Sequence, residues 1–200
     1  DFSHQSEYLF LQEIEMKGAV CYEFGKPLVI EELDLDPPGK GEVKVKVAAC
    51  AICHSDIHSA RGEHRPITLP AVGGHEIAGY IAEVGEGVTY VKPGDPVVVS
   101  IPMNGCGQCL PCLMGQGHRC INHPLKLAAP GRYVNKKGQR LWQFAGDIAG
   151  FVEYTTVSEH HVVKIPPEMP LDRAALLACG VISGFGAVVN RAKVRPFESV

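Results

Sequence analysis

Val43, Val45 and Val47 alternate with Glu42, Lys44 and Lys46, a period of two that places the valines on one face of a half-buried strand. Short apolar runs recur at 16–22, 28–33, 77–84, 97–101, 151–157 and 162–165. Gly85-Glu86-Gly87 and Lys92-Pro93-Gly94-Asp95 supply turns among them. Many short strands cut by turns predict a barrel or a sandwich, not an alternating βαβ sheet. The texture changes near Pro166. Residues 171–178 and 184–192 are rich in alanine and other small residues while turn signals thin out, which predicts two helices at the carboxyl end. Residues 1–15 show no clear period, whereas Met16 opens a clean apolar run. The expectation is a leader, remnant or short helix over 1–15 and a domain starting at Met16.

Composition narrows the function classes. The 200 residues are 46% hydrophobic and 20% charged with a formal net charge of -3, as expected of a globular chain with a sizeable core. No basic excess points to nucleic acid or to a membrane surface. No apolar run reaches the roughly 20 residues that cross a bilayer, and the start lacks the pattern of a secretory signal. A cytoplasmic location is the resulting expectation, and a reducing compartment changes how the eight cysteines are read.

Four of those cysteines are crowded. Cys106, Cys109, Cys112 and Cys120 form C-x2-C-x2-C-x7-C in a stretch that also holds Gly105, Gly107, Pro111, Gly115 and Gly117. Such a loop can wrap four thiolates around one ion, the closed tetrahedron that a structural zinc prefers. An iron–sulfur cluster is the rival, but in the bacterial ferredoxin run the fourth cysteine follows after three residues and precedes proline. Here it follows after seven and precedes Ile121. Buried or disulfide-paired cysteines are the bland alternative.

Three further segments are weak one by one: Cys50-Ala51-Ile52-Cys53-His54-Ser55-Asp56, Gly73-Gly74-His75-Glu76 and Ala178-Cys179-Gly180. A lone cysteine is more often a small core residue, and a lone histidine a hydrogen-bonded one. In this order, beside the four-cysteine loop, they are similar to the motif set of the zinc-dependent, medium-chain alcohol dehydrogenases, from about Met16 to Val200. The resemblance implies a mainly β, chaperonin-10-like (GroES-like) partly open barrel with a zinc-binding loop and carboxyl-terminal helices. It also implies that Cys53, His75 and Cys179 hold a catalytic zinc with an open position for an alcohol, the ligand set known for alcohol dehydrogenase.

By the same resemblance Ser55 takes the alcohol proton, and His58 relays it to solvent by way of the cofactor ribose. Asp56 orients His75, and Glu76 sits behind the metal. His54 stands where many relatives carry an arginine that reaches the cofactor pyrophosphate. Each has a plainer alternative: His58 as a surface residue on a helical turn at 56–60, the carboxylates as solvated or capping groups. Pro96 departs from the family pattern and is expected to affect a turn, not catalysis.

The implied activity is interconversion of alcohols and aldehydes or ketones, with two zinc ions and NAD or NADP. The cofactor belongs to a Rossmann domain that these residues do not supply, since they contain no Gly-x-Gly-x-x-Gly loop. The expected division is a leader at 1–15, a catalytic domain at 16–180 and a linking helix at 181–200. On that reading the chain is truncated and inactive alone. The expected partner is a small alcohol or aldehyde, with no nucleic acid and no membrane, and homo-oligomers arise in full-length relatives. Two other readings stay open: a non-catalytic zinc-binding barrel, and a redox-active thiol protein.

Overall fold

The structure, a computed structural model, describes residues 16–63, 66–101, 105–122, 131–145 and 148–200, so the expected leader lies outside the described residues. Among the described residues ten strands form two five-stranded sheets. They are β1 (Met16–Cys21), β2 (Val29–Leu35), β3 (Glu42–Ala51), β4 (Ala71–Val72), β5 (Glu76–Val84), β6 (Pro96–Val99), β7 (Tyr133–Asn135), β8 (Trp142–Gln143), β9 (Tyr154–Ser158) and β10 (Val162–Lys164). The first sheet runs β7-β2-β1-β4-β8 and the second β10-β6-β5-β3-β9. All their pairings are antiparallel except β4 with β8.

The segment before β9 joins the sheets. Ala19 N–H donates to Phe151 O at 2.8 Å and Glu153 N–H to Lys17 O at 3.1 Å, while Val47 N–H donates to Glu153 O at 2.9 Å. One stretch of chain thus serves β1 on one side and β3 on the other, curling the sheets into the partly open barrel that the family resemblance implies.

The alternation in β3 works as expected at its start. Val43 and Val45 are fully buried among Ile77, Ile81, Val97, Val99 and Val157. Val47 is only partly buried, because register shifts after Lys44 and Val47 interrupt the strict period. Each fully buried valine is worth roughly 1.5–3 kcal/mol relative to exposure. A second cluster inside the first sheet holds Met16, Val20, Leu33, Val72, Tyr133 and Leu141. There the buried Tyr133 hydroxyl is 2.9 Å from Thr155 Oγ1, a pairing that spans both sheets.

Short helices accompany the strands. α1 (His54–Arg61) is longer than the turn expected at 56–60, and it ends on Gly62 in the left-handed region at φ 74°. α2 (Leu110–Leu113) lies within the four-cysteine loop. α3 (Leu171–Ala174) passes into a tighter 3₁₀ turn at Ala175–Ala178. The last helix corrects the expected start at 184: α4 (Gly180–Gly186) begins directly after Cys179 and runs on as a wider turn through Ala187–Arg191. Three alanines, Ala174, Ala175 and Ala178, pack against Ala78 and Val98 of the second sheet, so small side chains there bring the helical turn close to the strands.

Among the described residues no single helix is long and apolar enough to cross a membrane; only the bent pair Leu171–Ala178 and Gly180–Arg191 passes together, by length and composition.

Candidate metal centres

The four-cysteine loop closes as its spacing suggests. Cys109 Sγ lies 3.3 Å from Cys112 Sγ and 3.8 Å from Cys120 Sγ, and Cys106 Sγ lies 4.0 Å from Cys112 Sγ. A tetrahedron with metal–sulfur bonds of about 2.3 Å has sulfur–sulfur edges of about 3.8 Å. The cradle is therefore sized for one ion, and a cluster with its own sulfides would hold the thiolates farther apart.

Backbone and side-chain donors surround it. The Gln108 and Cys109 backbone groups bring the Cys106 thiol down to about 6, and Asn122 Nδ2 approaches Cys106 Sγ at 3.4 Å. Burial, together with the neighbouring Cys109, pushes Cys112 up to about 12. Four crowded sulfurs cannot all ionise without a cation among them.

The second constellation is assembled from three places distant in sequence. Cys53 caps the start of α1, His75 ends the turn between β4 and β5, and Cys179 lies between the 3₁₀ turn and α4. With Glu76, their ligand atoms all lie within 4.8 Å of one another. Asp56 ties the first two segments together. Its Oδ2 accepts Cys53 N–H at 3.0 Å, and its Oδ1 accepts Gly74 N–H at 3.2 Å and faces His75 Nδ1 at 3.1 Å. The contact with Asp56 makes Nδ1 the protonated nitrogen and leaves Nε2 to face the cysteines.

Gly74 is required here. Its φ is 90°, and a Cβ would come within 2.7–2.9 Å of Phe151 and Cys50.

The electrostatics suit a cation. Burial acts to raise the Cys53 thiol, yet hydrogen bonds from Ser55 and His75 bring it below its ordinary value. Burial acts to lower His75, but the Asp56 carboxylate raises it. Cys179 is pushed up to about 11, first by burial and then by the charge of Cys53. Asp56, His75 and Glu76 are each about 4% exposed, so these polar groups are held out of water beside the two thiols.

Of the remaining candidates, Ser55 hydrogen-bonds Cys53. His58 Nδ1 is 2.9 Å from Glu63 Oε2, with both side chains about half exposed. The exposed His54 lies with its ring centroid 4.6 Å from that of His58. Cys50 and Cys21 stay outside both groups. Burial pushes Cys50 up to about 12, as for an inert core thiol.

Two participants escaped the sequence reading. Glu63 follows Gly62 just past α1, and nothing local marks it as a partner of His58. Ser100 donates its hydroxyl to Ala178 O at 2.9 Å across 78 residues.

The chain is similar to known proteins over most of its length. The sequence profile of the "Alcohol dehydrogenase GroES-like domain" matches residues 39–167. Alcohol dehydrogenase 1 of Pisum sativum is 37% identical over 195 residues, covering 94% of this chain and 51% of the relative. S-(hydroxymethyl)glutathione dehydrogenase of Escherichia coli is 41% identical over 193 residues, covering 94% of this chain and 52% of the relative. The crystal structure of an alcohol dehydrogenase zinc-binding domain protein from Burkholderia ambifaria superposes with a TM-score of 0.81 at 32% identity, over 90% of this chain and 50% of that one. Benzyl alcohol dehydrogenase from Acinetobacter calcoaceticus gives 0.78 at 30%, over 92% and 50%. The chain spans about half the length of the curated relatives it matches.

Proposed function

The chain belongs to the zinc-type, medium-chain alcohol dehydrogenases through its GroES-like domain, and from that premise we propose that residues 16–180 form the metal-carrying catalytic half of an enzyme that moves hydride between a small alcohol and a nicotinamide cofactor. One observation carries the reading: Cys53, His75, Glu76 and Cys179 converge within 4.8 Å, beside an Asp56 that bonds to two of the three segments supplying them. Two thiolates and an imidazole nitrogen with a carboxylate behind them fit zinc at an open site, as the four thiolates of the loop fit zinc at a closed one.

Zinc bound at the second site supplies a Lewis acid for the oxygen of an alcohol or aldehyde. The chain's own residues do the rest. Asp56 fixes the tautomer and the ring plane of His75. Ser55, hydrogen-bonded to Cys53, is placed to take the proton of an alcohol. His58, three residues further along α1, passes that proton toward solvent, and Glu63 accepts from its Nδ1, leaving Nε2 for the exchange. Glu76, buried beside Cys179, stands behind the metal, and His54 on the exposed face of α1 is assigned to the cofactor.

NAD or NADP would be held by a region with no counterpart in these 200 residues, which carry no Gly-x-Gly-x-x-Gly loop. Residues 181–200 would lead toward that region. The 200-residue chain would by itself bind metal without turning over.

Native mass spectrometry of the purified chain tests the assignment. Two zinc ions are expected on the wild type, one on Cys53→Ser and one on Cys109→Ser, each variant losing its own site. A wild type that holds a single zinc, or iron and sulfide, overturns it.

A further inference from the structure

The three ligand segments of the second site are not held alike. Asp56 bonds to the segments carrying Cys53 and His75, and its hydrogen bonds among the described residues do not extend to the Cys179 segment. Cys179 stands on an irregular backbone, φ −145° and ψ −64°, between the 3₁₀ turn and α4, so helical regularity does not set where its thiol points. The turn before it packs through small side chains, Ala174, Ala175 and Ala178 on Ala78 and Val98, a contact that fixes distance but little direction.

One directional contact reaches this segment from the barrel. Ser100 Oγ donates to Ala178 O at 2.9 Å, one residue before the ligand. Ser100 follows β6 and is itself clamped: its N–H donates to His161 O at 2.9 Å, and His161 Nδ1 donates to its carbonyl at 2.8 Å. Ser100 and His161 are buried, at 9% and 1% exposure, so the hydroxyl works in a dry, rigid surrounding where a directed hydrogen bond has few competitors.

We infer that Ser100 is a positioning residue, which sets the aim of the Cys179 thiol into the second site by holding the Ala178 carbonyl against the β6–β10 edge. The inference rests on the reading that this site holds a metal. Ser100 touches neither the metal nor the substrate; it acts through the peptide that carries the ligand. Loss of its hydroxyl leaves the Ala178 carbonyl without this donor and frees the peptide to turn.

Cobalt(II) titration of the chain against a competing chelator, followed in the visible bands that separate a two-thiolate, one-imidazole site from a four-thiolate site, tests it. Two equivalents are expected on the wild type. Ser100→Ala should weaken the second site about 10- to 100-fold, the usual cost of losing a supporting contact around a metal, and leave the four-cysteine site unchanged as the internal control for folding. Ser100→Thr should keep wild-type affinity. Ser100→Thr and Ser100→Val, matched in volume and differing in the hydroxyl, repeat the comparison should the alanine variant misfold.

Unchanged affinity in both Ser100→Ala and Ser100→Val overturns the positioning role, as does equal loss at both sites that Ser100→Thr fails to restore. A wild type saturating at one equivalent, with the four-thiolate spectrum alone, overturns the metal reading itself and is told apart by that spectrum.

Discussion

At the scale of single residues, carboxylates show how one side chain type serves two ends. Asp56 is buried, spends both oxygens on backbone and imidazole donors, and so joins two loops that the sequence separates by 18 residues. Asp95 instead joins strands by charge. Its carboxylate lies 2.6 Å from Lys92 Nζ and 2.9 Å from Lys164 Nζ, and accepts Lys92 N–H at 3.0 Å. The hydrogen bonds from Lys92 and Lys164 hold it well below the usual carboxylate range. A depressed carboxylate pKa stabilises the fold fully above the unfolded value of about 3.9, and that contribution fades as pH falls toward the folded value. Asp95→Asn should therefore lower the thermal midpoint throughout pH 4–7, and the gap should narrow only as the pH falls below about 4, read in unfolding curves between pH 2 and pH 7. Pro96, beside it, opens β6 with its carbonyl accepting from Ile165 N–H, and its missing N–H falls at the start of a strand where it is tolerated.

At the scale of elements, the pairing of β3 with β5 depends on a close approach. Gly79 lies opposite Val47, and a Cβ there would run into the carbonyl of Lys46. That obstacle is backbone in the middle of a sheet, with no flexible side-chain end to move aside. Gly79→Ala should cost about 1–3 kcal/mol, the usual range for overpacking, seen as a lowered denaturant midpoint. The longer strands announced themselves because an alternating or continuous apolar run of four or more residues has a readable period. β4, β7 and β8, of two or three residues each, have none; their pairing comes from the neighbours they meet, as when Trp142 N–H reaches Pro70 O at 2.8 Å. The last helix was expected from 184 because residues 184–192 are rich in alanine and other small residues and carry few turn signals. It begins at Gly180, where the chain turns at Cys179 and the 3₁₀ packing delivers it.

At the scale of the whole molecule, the apolar surface is unevenly spent. The two sheets bury compact apolar clusters, while Val181, Ile182, Phe185, Val188 and Val189 on the last helical segment stand 41–65% exposed. Side chains that stay about half exposed or more contribute little burial, so Phe185→Ser and Val188→Ser should each leave the unfolding free energy of this chain within about 0.5 kcal/mol. A larger loss would show that the helix packs on the barrel in solution. The sequence by itself determined the β-rich class, the main strands and the four-cysteine loop, because periodicity and close cysteine spacing are local properties that survive without a third dimension. It also named the second set of ligands, though only as a resemblance, since segments at 53, 75 and 179 share no local signal. Tertiary structure alone decided that these segments meet, that Asp56 can bond two of them at once, that Glu63 faces His58 and that Ser100 reaches Ala178. Apart from the His58–Glu63 pair, which is local to the end of α1, each of those joins residues far apart in sequence, and such a contact exists only once the chain between them has folded.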